Sequence, residues 1–347
     1  MAVLERYAAL LGVTERTPRL SLGEGATPLI DAGRLGASLG IDLHLKVEGQ
    51  NPTGSFKDRG MVLAVAKALE EGSEAVICAS TGNTSASAAA YAAHAGIRAA
   101  VVVPAGRIAL GKLAQAVMYG ARVAAIDGNF GDALRIVRKL AAQGRYTLVN
   151  SLNPWRIEGQ QTAAFEVVEA LRDAPEVVAL PVGNAGNITA YARGFKLYHA
   201  LGRASRRPRL YGVQATGAAP LVTGLRVASP ETVASAIRVG DPAGWQSAVA
   251  AVEGSCGGFC AVTDDEILRA QEFLARETGV FAEPASAAAI AGLVRLRREG
   301  ALPRGAKVVA VLTGTGLKDP AVALCGADEA VRTVPADVDA VAEAIAL

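Results

Sequence analysis

The sequence has few cysteines and histidines, and both are widely spaced. Its four cysteines and three histidines are Cys78, Cys256, Cys260, Cys325, His44, His94 and His199. Four cysteines in 347 residues do not make the dense disulfide framework of small secreted domains. No cluster with the spacing of a four-ligand zinc site is present. We therefore predict free thiols in a reducing compartment and no metal.

Long apolar runs and an excess of one charge are also missing. The most apolar stretch, 86–104, is interrupted by His94, Gly96 and Arg98, so it falls short of the roughly 18 residues of a membrane span. Glu5 and Arg6 interrupt the first apolar segment, which is therefore not a signal peptide. The net charge of +2, from 35 basic and 33 acidic residues, excludes a nucleic-acid footprint. These features predict a soluble cytoplasmic protein that binds neither membrane nor nucleic acid.

What the sequence does have is a regular alternation of short β-branched runs with alanine- and leucine-rich segments. Its length of 347 residues favours about two domains. We predict strands at 43–47, 75–79, 99–103, 122–126, 147–150, 177–182, 210–214 and 307–313. We predict helices at 58–71, 84–94, 109–119, 131–143, 157–171, 188–201, 264–277 and 284–298. Continuous apolar strands alternating with helices predict an α/β fold with open, mostly parallel sheets covered by helices.

Local signals support one helix start in particular. Residues 263–266, Thr-Asp-Asp-Glu, have the pattern of a capping box, which predicts that a helix begins at Asp264. Right-handed crossovers place functional loops at the carboxyl ends of parallel strands, so functional residues are expected there.

The first unusual loop is residues 51–60, Asn-Pro-Thr-Gly-Ser-Phe-Lys-Asp-Arg-Gly. It places Lys57 in the first turn of a predicted helix, where the helix dipole disfavours an ammonium group. Any burial would lower the pKa of this lysine further, and a lysine near neutrality can form a Schiff base or act as a base. The alternative is an ordinary solvated lysine at a helix start.

Three further loops follow predicted strands. Residues 80–84, Ser-Thr-Gly-Asn-Thr, offer hydroxyls, an amide and backbone N–H groups, although a plain helix-capping turn explains them almost as well. Residues 181–187, Pro-Val-Gly-Asn-Ala-Gly-Asn, could turn successive amides toward one phosphate, or could form a structural turn. They match neither a Walker loop nor the dinucleotide fingerprint. The fourth segment, 311–320, is a glycine-rich turn that decides nothing in isolation.

Taken together and in this order, these segments resemble the fold-type II pyridoxal-phosphate enzymes, and within them the threonine synthases. The matching stretches are 25–29, 46–60, 79–85, 150–151 with Arg156, 182–188 and 312–320. The resemblance spans residues from about 25 to 320. The segment around Lys57 and the asparagine-bearing loop at 182–188 are its most specific parts, whereas the first and last stretches are shared more widely.

The resemblance implies a role for each residue at a matching position. Lys57 would hold pyridoxal 5'-phosphate covalently and later move protons, Asn83 would contact the ring hydroxyl, and Thr313 the ring nitrogen. A neutral hydroxyl at that nitrogen differs from the acidic partner used where the ring must stay protonated, so ring protonation stays open. The implied cofactor-phosphate loop is Gly183, Asn184, Ala185, Gly186 and Asn187. The implied clamp for a substrate phosphate is Thr84, Asn150, Ser151, Arg156 and Asn184.

The resemblance also implies an architecture and a reaction. It implies a tryptophan synthase β-like fold with a larger cofactor-binding domain, 1–46 with 153–347. The smaller inserted domain, 47–152, would carry Lys57 and the loop 80–84, and the protein would be a homodimer. The implied lyase reaction converts O-phospho-L-homoserine and water to L-threonine and phosphate.

Alternative functions come from the same and from other classes. Threonine or serine dehydratases and cysteine synthase share the cofactor and fold, but dehydratases typically carry an all-glycine phosphate loop where Asn184 and Asn187 stand here. Cysteine synthases generally have valine at the position of Phe56. A nicotinamide-dependent oxidoreductase lacks support because the glycine fingerprint is absent. A non-catalytic binding protein would leave Lys57 unmodified.

Overall fold

The larger of two sheets takes its strands from both sides of the chain segment that forms the smaller sheet. A computed structural model describes residues 2–105, 110–323 and 333–345. The six strands lie in the order β1, β2, β10, β7, β8, β9. Only β1 runs antiparallel to its neighbour. Their bounds are β1 Leu29–Asp31, β2 Asp42–Val47, β7 Val177–Pro181, β8 Arg209–Ala215, β9 Gly258–Val262 and β10 Lys307–Leu312.

The smaller sheet is formed by a continuous middle part of the chain. Its order is β5, β4, β3, β6, and all three pairings are parallel. The bounds are β3 Ala75–Ala79, β4 Arg98–Pro104, β5 Arg122–Ile126 and β6 Thr147–Leu148. The α/β class with open, mostly parallel sheets is therefore confirmed. The separation into two sheets supports the two-domain organisation, whose boundaries at 46/47 and 152/153 stay a prediction.

Helices cover both sheets, in the arrangement expected for parallel strands. The first eight are α1 Val3–Arg6, α2 Gly33–Leu39, α3 Lys57–Glu70, α4 Asn83–His94, α5 Leu110–Met118, α6 Phe130–Ala142, α7 Pro154–Gln160 and α8 Thr162–Leu171. The others described are α9 Gly186–Ala200, α10 Pro220–Thr223, α11 Trp245–Glu253, α12 Asp264–Thr278, α13 Pro284–Arg298, α14 Pro320–Ala323 and α15 Val338–Ala344.

Most predicted elements agree with the structure to within one to three residues. The capping box at the start of α12 is confirmed, because the side chains of Thr263 and Glu266 each accept a hydrogen bond from the other's backbone N–H. The predicted start of α5 at residue 109 lies outside the described residues. One predicted helix, 157–171, is wrong as a single element. It is divided into α7 and α8, and at the division the hydroxyl of Thr162 donates to the carbonyl of Gly159 at 2.7 Å.

Two strands were missed, for identifiable reasons. β1 is only three residues long and lies at a sheet edge, so its sequence has no alternating pattern to detect. β9 begins at the second of two consecutive glycines, Gly257 and Gly258, which favour a turn in the sequence. In the structure a Cβ on Gly257 would lie 1.9 Å from the carbonyl oxygen of Leu210, so glycine is there because two backbones touch.

A fully buried ionic cluster holds the helix of Lys57 against the rest of the molecule. Arg59 donates to Glu48 at 2.6 Å and to Glu166 at 2.6 Å, and Lys46 donates to Glu166 at 2.6 Å. Burial alone raises the pKa of Glu166, but the charges and hydrogen bonds of Arg59 and Lys46 outweigh it and lower the pKa to about 2. Two cations and two carboxylates therefore balance. Removing any one would leave a buried charge unpaired.

The expectations of free thiols and of no membrane span can be compared with the described residues. Cys78, Cys256 and Cys260 are free thiols there, and Cys325 lies outside the described residues. In that same part of the chain, every helix is too short or too polar to cross a bilayer.

Candidate active site

Side-chain and backbone contacts bring the beginnings of five helices together. They are α3, α4, α7, α9 and α13, and each begins within a few residues of a candidate site residue. The partial positive charge of a helix N-terminus favours anions. The site is thus prepared for negatively charged groups before any side chain is considered.

The loop before Lys57 is fixed by the aspartate that follows it. The buried carboxylate of Asp58 accepts hydrogen bonds from the backbone N–H of Thr53 at 2.7 Å and its hydroxyl at 2.6 Å. It also accepts one from the hydroxyl of Ser87 in α4 at 2.6 Å. The backbone N–H of Phe56 donates to the carbonyl of Thr313 at 3.0 Å. Lys57 is therefore tied to α4 and to the loop after β10.

Lys57 itself is half-buried at the first position of α3. Removal from water lowers the pKa of its ammonium group to about 7, with the nearby charge of Arg156 acting in the same direction and Glu283 acting against it. The solvated-lysine alternative is therefore wrong. Near neutral pH a large fraction of this side chain is a free amine, the form that reacts with an aldehyde.

We expect Lys57 to react with amine-selective reagents at lower pH than an exposed lysine such as Lys196. A lowered pKa increases the fraction of neutral amine at every pH below the ordinary value. In the apoprotein, labelling of Lys57 should reach half its maximum near pH 7. Exposed Lys196 in α9 is the internal control, and the measurement is competitive labelling with mass spectrometry. If Lys57 reacted with the same pH profile as Lys196, the lowered pKa would be wrong.

The loop after β7, where a phosphate cup is predicted, has an unusual backbone conformation at the start of α9. Ala185 has a left-handed conformation, with φ of 68°, unusual for a residue with a side chain, and Gly186 begins α9. A Cβ on Gly186 would lie 3.2 Å from Cδ1 of Ile157, and one on Gly183 would lie 3.1 Å from the carbonyl oxygen of Ala236. Asn184 is half-buried. The buried amide nitrogen of Asn187 has no hydrogen-bond partner.

Arg156 reaches the site because two helices touch backbone to backbone. A Cβ on Gly60 of α3 would lie 2.4 Å from the carbonyl oxygen of Arg156, and one on Gly159 of α7 would lie 2.2 Å from that of Arg59. Only glycine permits this approach. It sets the position of Arg156 relative to Lys57.

The guanidinium of Arg156 is buried but only partly paired. The residue is 1% exposed, so the alternative of a surface arginine is wrong. Nη1 donates to the carbonyl of Val149 at 3.0 Å, while Nε has no partner. Burial lowers the pKa of Arg156 to about 10, which still leaves it charged near neutral pH. A buried, charged guanidinium with only some of its donors paired is the arrangement expected of an anion site.

The other clamp residues differ in how free their side chains are. The Cβ of Ser151 lies 3.7 Å from the point that a Cβ on Gly186 would occupy, so it borders the phosphate loop. Thr84 is half-buried at the second position of α4. The amide of Asn150 pairs with both backbone groups of Ala79, at 3.0 and 2.9 Å, so it also holds the end of the smaller sheet.

Sequence reasoning missed Glu283, which joins two of the predicted cofactor contacts. Its carboxylate accepts a hydrogen bond from Nδ2 of Asn83 at 3.0 Å and another from Oγ1 of Thr313 at 3.0 Å. It is 1% exposed and precedes α13. In the sequence, an acidic residue directly before a helix is ordinary. Only the structure shows that the side chain of Glu283 contacts Asn83 and Thr313 and does not cap α13.

Gln160 was also missed, although its spacing could have indicated it. It lies one helical turn after Arg156 on α7, and therefore on the same face. Its buried Oε1 has no partner and lies 4.0 Å from the point that a Cβ on Gly186 would occupy. The wall between the phosphate loop and Arg156 thus contains a further polar group.

The described residues fit pyridoxal phosphate. A largely neutral lysine amine suits its aldehyde. The backbone of 183–187 and the unpartnered amide of Asn187 suit its phosphate, and Asn83 and Thr313 offer polar groups to its ring. Asn83 borders a cavity of about 510 Å³, together with Asn51, Glu283 and Lys318.

Comparison with known proteins also indicates a pyridoxal-phosphate enzyme. Residues 20–314 match the family model described as "Pyridoxal-phosphate dependent enzyme". The chain is 58% identical to the threonine synthase of Mycobacterium leprae over 99% of its own length and 96% of that protein. It is 54% identical to the threonine synthase of Bacillus sp. (strain ULM1), covering 99% and 97%. Maize serine racemase has a similar fold, with a TM-score of 0.77 and 20% identity over 94% and 95% of the two chains.

Proposed function

Because this chain belongs to the threonine synthase family of pyridoxal-phosphate dependent enzymes, we propose that it converts O-phospho-L-homoserine and water to L-threonine and phosphate. The protein is a lyase of threonine biosynthesis with pyridoxal phosphate as cofactor, and its fold is fold type II. The choice of substrate is the proposal. The observation that carries it is Arg156, a buried and incompletely paired cation outside the backbone phosphate cup.

Two separate anion sites are what this substrate requires. One backbone cup cannot hold the cofactor phosphate and a substrate phosphate at once. We assign the cofactor phosphate to the loop 183–187 and the substrate phosphate to Arg156 with Thr84, Asn150, Ser151 and Asn184. A guanidinium can bind two phosphate oxygens in parallel, which fixes both position and orientation.

The proposed chemistry depends on one movable base. Pyridoxal phosphate, when bound, supplies an electron sink for carbanions of the substrate. Lys57 would hold the cofactor covalently, and once released it would take the proton from the α-carbon of the substrate. Its pKa of about 7 suits this exchange, because a base works best when its pKa lies near the operating pH. A β-proton follows, and Arg156 would hold the phosphate that departs from the γ-carbon. Water would then add its hydroxyl at the β-carbon, and protons would return to the α- and γ-carbons.

The direct test is a comparison of substrates. We expect the purified enzyme to release phosphate from O-phospho-L-homoserine. We expect little pyruvate from serine or 2-oxobutyrate from threonine, the products of a dehydratase, and little cysteine synthesis from sulfide. Cofactor fixed to Lys57 by borohydride should be found by peptide mass. Faster turnover of serine or threonine would contradict the proposed substrate.

Replacing Gly186 with valine should raise the dissociation constant of the cofactor about 10- to 100-fold. Valine would press on Cδ1 of Ile157 and keep the loop amides from the phosphate, a loss of roughly 1.4–2.8 kcal/mol. Titration of the apoprotein with pyridoxal phosphate measures it. Ala192→Val, half-buried in the same helix, is the matched control. Unchanged affinity in a folded Gly186→Val protein would mean that the glycine only shapes a turn.

We propose further that the enzyme is a cytoplasmic homodimer, on the family resemblance and the free thiols at Cys78, Cys256 and Cys260. Light scattering should give twice the chain mass of 35.4 kDa. A monomer that turns over at the full rate would contradict the dimer.

A further inference from the structure

The hydroxyl of Thr313 lies within a chain of hydrogen bonds that ends at a carboxyl group. Oγ1 of Thr313 contacts Oε1 of Glu283 at 3.0 Å and Oγ of Ser286 at 3.0 Å. The hydroxyl of Ser286 in turn accepts from the backbone N–H of Gly314 at 3.1 Å. Thr313 is 4% exposed and Ser286 is fully buried, so bulk water does not compete for these bonds.

Glu283 is a buried acid surrounded by groups that act on it in opposite directions. Burial raises the pKa of its carboxyl group, whereas hydrogen bonds from Asn83 and Thr313 and the charge of Lys57 lower it. The negative charge of Asp319 raises it again, and Lys318 is a further cation near it. The charge state of Glu283 therefore depends on the groups around it, and its hydrogen bond with Thr313 is one of them.

The hydroxyl of Thr313 has one proton, so it can donate to Glu283 or to the ring nitrogen of the cofactor but not to both. This limits the possible positions of the protons. If Glu283 is ionised, Thr313 donates to it and offers a lone pair, which can only accept from a protonated ring nitrogen. If the ring nitrogen is unprotonated, Thr313 must donate to it, and Glu283 must then donate its own proton to Thr313. The two arrangements contain the same number of protons.

We propose that Glu283 is the acidic partner of the cofactor ring, acting through the hydroxyl of Thr313. This inference rests on the proposed function, since it takes Thr313 as the contact of the ring nitrogen. Glu283 is a positioning residue here, because it touches Thr313 and Asn83 rather than the cofactor. Through Thr313, Glu283 would keep the ring nitrogen protonated, as a directly bonded carboxylate does in other enzymes of this cofactor class.

The step is a proton transfer with no net gain or loss. Thr313 gives its hydroxyl proton to Oε1 of Glu283, and its oxygen takes the proton of the ring nitrogen. One N–H and one O–H bond break, and two O–H bonds form. The reverse transfer restores the protonated ring, which draws electrons from the reacting carbon more strongly.

The test is the protonation of the ring nitrogen in the intact holoenzyme, read from the nitrogen-15 chemical shift of ring-labelled pyridoxal phosphate. Glu283→Gln keeps the size of the side chain and can still hydrogen-bond to Asn83 and Thr313, but it carries no charge. We expect the ring nitrogen to lose its proton at a pH about 1–3 units lower than in the wild type. A structural role alone would leave the titration unchanged.

Variants of Thr313 and Ser286 separate the relay from general packing. Thr313→Val removes the hydroxyl at nearly constant shape and should shift the titration of the ring nitrogen as Glu283→Gln does. Thr313→Ser keeps a hydroxyl and should titrate as the wild type does. Ser286→Ala removes another hydrogen bond to Thr313 but no titratable group, so the wild-type titration should remain. A shift in Ser286→Ala as large as in Glu283→Gln would overturn the proposal.

The outcomes also separate this proposal from the proposed function. If the wild-type enzyme attached no cofactor to Lys57 or released no phosphate, the proposed function would fail. If it did both, and Glu283→Gln titrated as the wild type does, only the role of Glu283 would fail. Should Glu283→Gln not fold, Thr313→Val decides alone, because a wild-type titration without that hydroxyl excludes the relay.

Discussion

Replacing Lys57 with alanine should lower phosphate release from O-phospho-L-homoserine by at least about 10⁴-fold. The variant loses both the covalent attachment point of the cofactor and the base proposed to act at the α-carbon. Removing a group with both functions lowers the rate by a factor of this size. The other lysine near the site, Lys318, donates to the side chain of Gln115 and lies on the loop after β10. It is therefore not placed to act as a substitute.

The fold should survive this substitution, which makes the loss of activity interpretable. Lys57 is half-buried at a helix start, and the loop around it is held by Asp58 and Arg59 rather than by its own amine. The melting temperature should stay close to that of the wild type, and borohydride should fix no cofactor. Lys196→Ala, at an exposed position of α9, should retain full activity. Substantial turnover by Lys57→Ala would exclude Lys57 as the attachment point.

The sequence was informative where a residue's type and its neighbours along the chain decide its role. Lys57 could be singled out because a lysine is unfavourable in the first turn of a helix, and the structure places it where burial lowers its pKa. The apolar strands of the parallel sheets could be predicted for a similar reason, since burial on both faces leaves a continuous apolar run.

Features that depend on contacts between distant segments could not be predicted in this way. The contact between α3 and α7 rests on Gly60 and Gly159, which lie about a hundred residues apart in the chain. Neither glycine has a local signal. The link from Asn83 through Glu283 to Thr313 likewise joins three segments, and no spacing along the chain indicates that their side chains meet.

Replacing Arg156 with alanine should lower kcat/KM for O-phospho-L-homoserine by about 10²- to 10⁴-fold. The loss corresponds to two charge-assisted hydrogen bonds of roughly 1.5–3 kcal/mol each. Inhibition by phosphonate analogues of the substrate should weaken in parallel. The cofactor should remain bound, because its phosphate is assigned to the backbone of 183–187 rather than to Arg156.

The surroundings of Arg156 supply a second measurement that does not depend on turnover. The positive charge of Arg156 contributes to the lowered pKa of Lys57, so its removal should raise the pH at which Lys57 is labelled in the apoprotein. Arg98→Ala removes an exposed arginine that pairs with Glu74 at 3.0 Å, and it should change neither the labelling nor the activity. Among the residues that the structure describes, the guanidinium of Arg156 has one hydrogen-bond partner, the carbonyl of Val149, so the variant should fold. Normal turnover by Arg156→Ala, or loss of cofactor with it, would show that this arginine does not hold the phosphate of the substrate.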